Sequence, residues 1–167
     1  GYNQYGQLGD GTQSQATAPV AVTGSKAFTS LATGSQHTCG LTKDGTAWCW
    51  GYNEFGQLGG ASATPASPVA VTGGKAFTSL TAGSQHTCGL TASGTAWCWG
   101  GNQWGQLGTG SANSVANRIV AVSGGKTFTS LASGVDALHT CGVATDGTAW
   151  CWGANNYGQL GDGTTTS

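Results

Sequence analysis

The feature that most constrains the fold of this chain is a tandem repeat with a period of about fifty residues. A block that reads YNQYGQLG at residues 2–9 returns three more times with small changes. The glycine that precedes the block recurs at intervals of 50, 49 and 53 residues, at Gly1, Gly51, Gly100 and Gly153. Repeats of this length indicate that each unit buries its apolar surface against the next unit. We therefore divide the single domain 1–167 into units 1–50, 51–99 and 100–152 and a partial unit 153–167.

Each unit is predicted to contain four short β-strands. The first begins at a phenylalanine, as in Phe28–Ala32, and the second and third are the segments HTCGL and TAWCWG. A short valine-rich strand is expected at Val20–Val22, Val69–Val71 and Ile119–Val122, where nearby prolines suit a sheet edge. Four short strands per unit are typical of a β-propeller blade, so we predict an all-β chain of four-stranded antiparallel blades. A solenoid or a β-sandwich is the alternative.

Two cysteines ten positions apart flank a glycine-containing turn in every complete unit. In the first unit, Lys43-Asp44-Gly45 fits a three-residue hairpin loop with glycine in the left-handed position. That loop pairs Thr42 with Thr46 and places Cys39 opposite Cys49, where Cα atoms about 4.5–5.5 Å apart allow a disulfide. The same register predicts three disulfides: Cys39–Cys49, Cys88–Cys98 and Cys141–Cys151.

The cysteines have two other conceivable roles. Structural zinc sites usually have ligands two to four residues apart, whereas nine residues separate the members of each pair here, so no metal site is expected. Free cysteines packed in the core remain the alternative to disulfides. Disulfides persist in oxidising compartments, so the prediction carries an extracellular location, either secreted or at a cell surface.

Composition narrows the partners and the chemistry. Asp, Glu, Lys and Arg make up 7% of the chain and the net charge is −1, which argues against a nucleic-acid partner. No apolar run is long enough to span a bilayer, so membrane insertion is not expected. The three histidines share one repeat position, and each is expected to make the same hydrogen bond within its own blade. Without a paired nucleophile, we predict no enzyme activity, no catalytic residue and no cofactor.

Positions where the units differ are the best candidates for binding, because variable loops on a rigid repeated scaffold usually carry recognition. Loops 13–18, 60–67 and 109–118 vary between units, and the third unit adds the segment 135–138. Six of the seven tryptophans recur in register and are assigned to the core. The expected ligand is a protein, or a glycan stacked on the aromatic that each unit carries in its YGQLG-type block. The candidate binding residues are Trp104, Arg118, Val135, Asp136 and Leu138.

With these residues in view, the chain resembles the regulator-of-chromosome-condensation repeat family. The resemblance rests on the pattern WG-x-N-x-x-GQLG, at Trp50–Gly59 and Trp152–Gly161, and on the segment G-x-x-H-T-C-G that recurs before the tryptophans. It implies a ring of blades, typically seven, that three units and a fragment cannot complete. Nuclear members are exchange factors that bind chromatin, but the few charges and the predicted disulfides argue against that role here. A secreted inhibitor of this fold implies that extracellular protein binding is feasible.

The sequence thus predicts a non-enzymatic extracellular propeller segment that serves recognition, adhesion or surface structure. A secreted inhibitor-like protein binder and the propeller module of a secreted enzyme with its active site elsewhere are the alternatives. The repeat boundaries leave Val20–Val22 without the other strands of its blade and leave the third blade without an outer strand. Exposed sheet edges tend to pair with another chain, so we expect further blades or other copies of the protein to cover them.

Overall fold

The computed structural model describes residues 1–60, 63–113 and 118–167, and these residues form strands, turns and loops without a helix. The parts of the variable loops at 61–62 and 114–117 lie outside the described residues. The described residues contain no helix long and apolar enough to cross a membrane. The strands are β1 (Phe28–Thr33), β2 (His37–Thr42), β3 (Ala47–Gly51), β4 (Val69–Ala70), β5 (Phe77–Ala82), β6 (His86–Thr91), β7 (Ala96–Gly100), β8 (Val120–Ala121), β9 (Phe128–Ala132), β10 (His139–Ala144) and β11 (Ala149–Gly153).

The strands form three antiparallel sheets in chain order, which confirms the predicted all-β fold built of propeller blades. The first blade has the order β1-β2-β3-β4, the second has β5-β6-β7-β8, and the third has β9-β10-β11. The outer strand of a blade comes from the following sequence unit, because β4 lies in unit 51–99 and β8 in unit 100–152. Units 51–99 and 100–152 therefore each contribute strands to two blades and link them.

The hairpin between the second and third strands has the predicted register. The Thr42 N–H donates to the Thr46 carbonyl at 3.0 Å, and Gly45 has a φ of 82°, which a residue with a side chain rarely adopts. Cys39 lies directly opposite Cys49, and the structure contains all three predicted disulfides, each with Cα atoms 4.1 Å apart. This separation is shorter than expected because each pair occupies the close, non-hydrogen-bonded site of the antiparallel ladder.

The blades pack face to face. One face of each blade carries the disulfide, and the other carries aromatic side chains. Between the first two blades, Cys39 and Cys49 pack with Phe77 and Trp99 of the next blade and with Leu58 of the intervening loop. All five are buried, and burial of a phenylalanine side chain contributes about 2 kcal/mol.

The six recurring tryptophans are not equally buried. Trp50 and Trp99 are buried, as predicted, whereas Trp48 and Trp97 are partly exposed beneath a lysine ammonium. Trp150 is 45% exposed because the described residues supply no outer strand beside it, so the assignment to the core is wrong for this residue.

The first valine-rich segment does not form the predicted strand. Val20–Val22 has no strand assignment, and Val20 is 42% exposed. The corresponding residues of the later units pair with β3 and β7, each of which is the third strand of its blade. The described residues contain no equivalent strand next to Val20–Val22. A strand as short as this one depends on its neighbour for its hydrogen bonds, so without one it remains extended loop.

Candidate functional site

The asparagine of each repeated loop holds that loop in shape. The Asn3 side-chain oxygen accepts the Leu8 N–H at 2.9 Å, while its nitrogen donates to the carbonyls of Thr12 and Ser14 at 3.2 and 2.9 Å. Asn102 repeats the arrangement with the Leu107 N–H. An amide side chain suits this position because it accepts at one atom and donates twice at the other.

Each repeated loop, held in shape by its asparagine, places the backbone carbonyl of its glutamine against the blade that follows it in the chain. The Gln57 carbonyl accepts two hydrogen bonds, from Trp99 Nε1 at 2.9 Å and from Thr87 Oγ1 at 3.0 Å. Both lone pairs of a buried oxygen are therefore used. The same pair of bonds joins Gln7 to Trp50 and Thr38, and Gln106 to Trp152 and Thr140.

Each of the first two histidines extends this arrangement across a blade boundary. His37 Nε2 lies 2.9 Å from Thr87 Oγ1, and His86 Nε2 lies 2.8 Å from Thr140 Oγ1. Because the Thr87 hydroxyl donates to Gln57, its oxygen accepts, and His37 Nε2 must carry the proton. The expectation of a hydrogen bond within the histidine's own blade is therefore wrong. We call each set of glutamine carbonyl, tryptophan, threonine and preceding histidine a blade node.

The glycine three residues before each of these histidines makes the approach possible. A Cβ atom on Gly34 would lie 2.3 Å from His37 Cε1 and 2.4 Å from the Gly83 carbonyl. No residue larger than glycine fits there, which explains the spacing G-x-x-H that the sequence repeats. Gly83 is constrained in the same way by His86.

Both buried histidines are neutral. The Nδ1 atoms of His37 and His86 have no hydrogen-bond partner among the described residues. Burial lowers the pKa of His37 from 6.5 to about 4. Burial is also the main reason why the pKa of His86 falls to about 3, and repulsion from a protonated His37 or His139 would lower it in the same direction. The described residues contain no group of three or more His, Cys, Asp or Glu placed to hold a metal ion. The nodes therefore join neighbouring blades through neutral side chains.

Variation between the units is concentrated at one end of the sheets. The first and third strands of each blade end there and the second begins there, so turns 34–36, 83–85 and 133–138 share this end with the loops that follow β3, β7 and β11. We call this end the loop face. The hairpin turns at 43–45, 92–94 and 145–147 lie at the opposite end, which we call the hairpin face.

The inserted segment of the third unit lies on the loop face and reaches the other two blades. Ser35 Oγ of the first blade donates to the Val135 carbonyl and to Asp136 Oδ1, both at 2.8 Å. The Ser84 N–H of the second blade donates to the Ala137 carbonyl at 2.9 Å. Val135 is 49% exposed and Leu138 is partly buried. We call residues 134–138 the hub loop.

The other two candidate residues lie farther out on the loop face. Trp104 follows β7 and is 38% exposed, and its backbone N–H donates to Gln106 Oε1 at 2.9 Å. Arg118 is exposed just before β8. Tyr5, which is the equivalent of Trp104 in the first unit, has its ring centroid 4.7 Å from that of Tyr52 in the second unit. The loop face thus carries aromatic, charged and apolar side chains that differ from unit to unit.

Comparison with known families identifies the repeat. A model of the regulator of chromosome condensation (RCC1) repeat matches residues 28–57, 77–106 and 128–159, and a second model with the same description matches 1–41 and 44–90. Protein RCC2 homolog of Danio rerio is 38% identical over 68 residues, as is Protein RCC2 of Homo sapiens. These matches cover 40% of this chain but only 14% and 13% of the relatives.

Solved structures share the arrangement of blades. Human WBSCR16 matches 99% of this chain and 44% of its own length with a TM-score of 0.82 at 20% identity. Prp20p of Saccharomyces cerevisiae matches 82% of this chain and 35% of its own length with a TM-score of 0.71 at 25% identity. The ectodomain of the Physcomitrella patens receptor kinase CR4 matches 82% and 32% with a TM-score of 0.58 at 29% identity.

A pair of threonine substitutions tests the blade node. Thr87→Val removes the bond to Gln57 and leaves the buried N–H of His37 without a partner, so we expect a loss of about 2–4 kcal/mol in the free energy of unfolding. Thr38→Val is the matched control, because Thr38 bonds Gln7 but receives no histidine among the described residues, and we expect a loss of about 1 kcal/mol. Urea unfolding measures both, and equal losses would contradict a role for the histidine bond.

The neutral histidines predict a stability that falls with acidification. Each ring protonates near pH 6.5 in the unfolded chain, whereas the folded pKa is about 4 for His37 and about 3 for His86. Below pH 6.5 the unfolded state binds protons that the folded state excludes, so unfolding becomes easier as the pH falls. By pH 5 each histidine should lower the free energy of unfolding by about 2 kcal/mol. Urea unfolding at neutral pH and near pH 5 measures the difference.

The control for this pH dependence is His37→Gln, because the glutamine amide can donate to Thr87 but does not titrate. The variant should lose roughly half of the decline between pH 6.5 and 4. The turn carboxylates Asp44 and Asp146 interfere little, because hydrogen bonds from neighbouring threonines lower their pKa values from 3.8, so the stability they contribute is lost mainly as the pH falls below that value. An unchanged decline in His37→Gln would assign it to other groups.

Proposed function

We propose that this chain, which belongs to the regulator of chromosome condensation repeat family, is a non-enzymatic recognition module that binds a protein through its loop face outside the cell. The family membership rests on repeat matches over more than half of the chain. The observation that carries the proposal is the hub loop, because it departs from the repeat, is held by three blades and exposes an apolar side chain.

The fixed shape of the hub loop favours recognition over simple packing. Its backbone is bonded to Ser35, to Ser84 and internally, where the Ala137 N–H donates to the Gly134 carbonyl at 2.9 Å. A loop ordered before binding loses little conformational freedom when a partner arrives. Val135 at its tip remains exposed, so the ordering does not serve to bury that side chain.

Relatives support protein as the ligand class. The structure of Prp20p is described together with its binding properties to Gsp1p and histones. This chain spans about a third of the length of Prp20p, and its net charge is −1. We therefore carry over the class of partner and not the partners themselves. The candidate contact residues are Val135, Asp136 and Leu138 at the hub and Trp104 and Arg118 farther out, with Trp104 also able to stack on a glycan.

The disulfides are the reason for placing the module outside the cell. Three bonds within hairpins persist in an oxidising compartment, whereas the cytosol keeps most thiols reduced. A relative of this fold at 29% identity is an ectodomain, which supports the same location.

A loop-face variant and a hairpin-face variant together test recognition. Val135→Glu places a charge at the tip of the hub loop, and Lys43→Glu changes the charge of an exposed turn at the opposite end. In crosslinking of the immobilised chain to secreted and surface proteins of its source, we expect the bound partner to be lost with Val135→Glu and retained with Lys43→Glu. Loss with Lys43→Glu alone would show that the hairpin face binds.

Thiol labelling tests the compartment. In protein isolated from its natural source without reductant, we expect an alkylating reagent in denaturant to modify none of the six cysteines, and to modify all six after reduction, as measured by intact mass. Recombinant protein refolded under oxidising conditions provides the unmodified reference. Six reactive thiols in the native material would remove the argument for an extracellular location.

A further inference from the structure

The three hairpin turns of the hairpin face differ at one position. The first and third turns carry Asp44 and Asp146, whereas the second carries Ser93. In the first turn the carboxylate accepts the Thr46 N–H at 3.1 Å, and in the third it accepts the Thr148 N–H at 3.0 Å. The second turn is therefore the one of these three that has no charged acceptor for this N–H.

The second turn leaves the corresponding N–H without an acceptor. Its hydroxyl groups bond one another, because Ser93 Oγ lies 2.9 Å from Thr91 Oγ1 and 3.1 Å from Thr95 Oγ1. The Thr95 N–H, which is the equivalent of the donor at Thr46, has no acceptor in the part of the chain that the structure describes. Ser93 is exposed and Thr95 is partly exposed, so a group from outside the chain can reach this strong donor.

A lysine of the second blade lacks a counter-ion at the same place. In the third blade, Lys126 Nζ lies 4.5 Å from the centroid of the Trp150 ring and also reaches Asp146 Oδ2 at 3.5 Å. Lys75 is the equivalent lysine of the second blade, and its Nζ lies 4.1 Å from the centroid of Trp97. Lys75 makes no ion pair with any described residue. A carboxylate placed as in the third turn would therefore be within reach of the Lys75 ammonium.

The hairpin face is the positively charged end of the molecule. One lysine lies in a hairpin turn and three lie two residues before the first strand of a blade, and together they are all the lysines of the chain: Lys43, Lys26, Lys75 and Lys126. The acids at this face are the two turn aspartates. The Phe77 N–H donates to the Gly45 carbonyl and the Phe128 N–H to the Gly94 carbonyl, both at 2.8 Å, so lysines of both neighbouring blades flank the second turn. An excess of positive charge draws anions to this surface.

We propose that the second hairpin turn is a carboxylate-binding site whose ligand is an acidic peptide segment, with an Asp or Glu side chain in the place that an aspartate fills in the other two turns. The incoming carboxylate accepts the Thr95 N–H and pairs with the Lys75 ammonium. The turn suits a charged carboxylate, because hydrogen bonds from Thr148 lower the pKa of Asp146 from its usual 3.8. This site lies at the opposite end of the sheets from the loop face and does not depend on recognition there.

Several carboxylates on one ligand are needed for useful affinity. An exposed ion pair changes affinity by only about two- to fivefold, so a free carboxylate ion binds weakly here. An acidic segment brings further carboxylates to the lysines of the neighbouring blades, and its first contact raises the effective concentration of the others. A side-chain carboxylate on a flexible stem also matches the aspartates that it replaces, whereas the carboxylate of a uronate is attached directly to a bulky sugar ring.

A titration followed by NMR tests the proposal on the disulfide-bonded chain, with a peptide of six glutamates as the probe. We expect the Thr95 amide signal to shift and to saturate, because a carboxylate occupies its free N–H. The Thr46 and Thr148 amides should shift much less, because their own aspartates already bind them. A peptide of six glutamines should leave the Thr95 signal in place, and added salt should weaken the response to the acidic peptide.

Three variants separate this site from general attraction to the hairpin face. Ser93→Asp supplies the carboxylate from within the turn and should weaken the response of Thr95 to the peptide by at least about tenfold. Lys75→Gln should weaken it by about two- to fivefold. Asp146→Ser is the reciprocal change, because it empties the third turn, and the Thr148 amide should then gain a response that it lacks in the unaltered chain.

Defined results would overturn the proposal. One is a Thr95 amide that does not shift with the acidic peptide, or that shifts equally in Ser93→Asp. Another is an equal response of the Thr46 amide in the unaltered chain, which would show attraction to the whole face. A uronate oligomer of the same length that shifts Thr95 more strongly than the glutamate peptide would overturn the peptide as the ligand.

Discussion

The blade node is the interaction on which the rest of the structure depends. The Gln57 carbonyl accepts hydrogen bonds from a tryptophan N–H and a threonine hydroxyl of one blade. The oxygen of that threonine in turn accepts a hydrogen bond from the histidine N–H of the preceding blade. These groups are buried. Leaving one of them without a partner would therefore cost more free energy than an ordinary hydrogen bond contributes to stability. The node therefore fixes the orientation of neighbouring blades, where apolar packing alone would tolerate small rotations.

Predictions from the sequence were correct for interactions between residues close together in the chain and failed for interactions between distant residues. The pairing of Cys39 with Cys49 depends on a three-residue turn, so local geometry predicted it. The partner of His37 lies fifty residues away, and no local rule distinguishes a bond within the blade from one across the boundary. The G-x-x-H spacing held the missing signal, because a glycine next to a recurring histidine indicates that another backbone comes close.

The candidate binding surface shows the same limit. Variation between the units indicated Val135 and Asp136, but their attachment to Ser35 joins residues a hundred positions apart and depends on the arrangement of the blades. The misassigned tryptophan and the unformed strand have one cause. Their positions in the repeat predicted burial for Trp150 and strand pairing for Val20–Val22. Both properties require a neighbouring strand, which the described residues do not supply.

Because β4 and β8 come from the unit that follows their blade, the sequence period and the structural blade are out of phase. A duplication of one sequence period would consequently insert an outer strand for the preceding blade and the first three strands of a new blade. Such an array can lengthen without any new linker, since every added period closes the sheet before it and opens one after it.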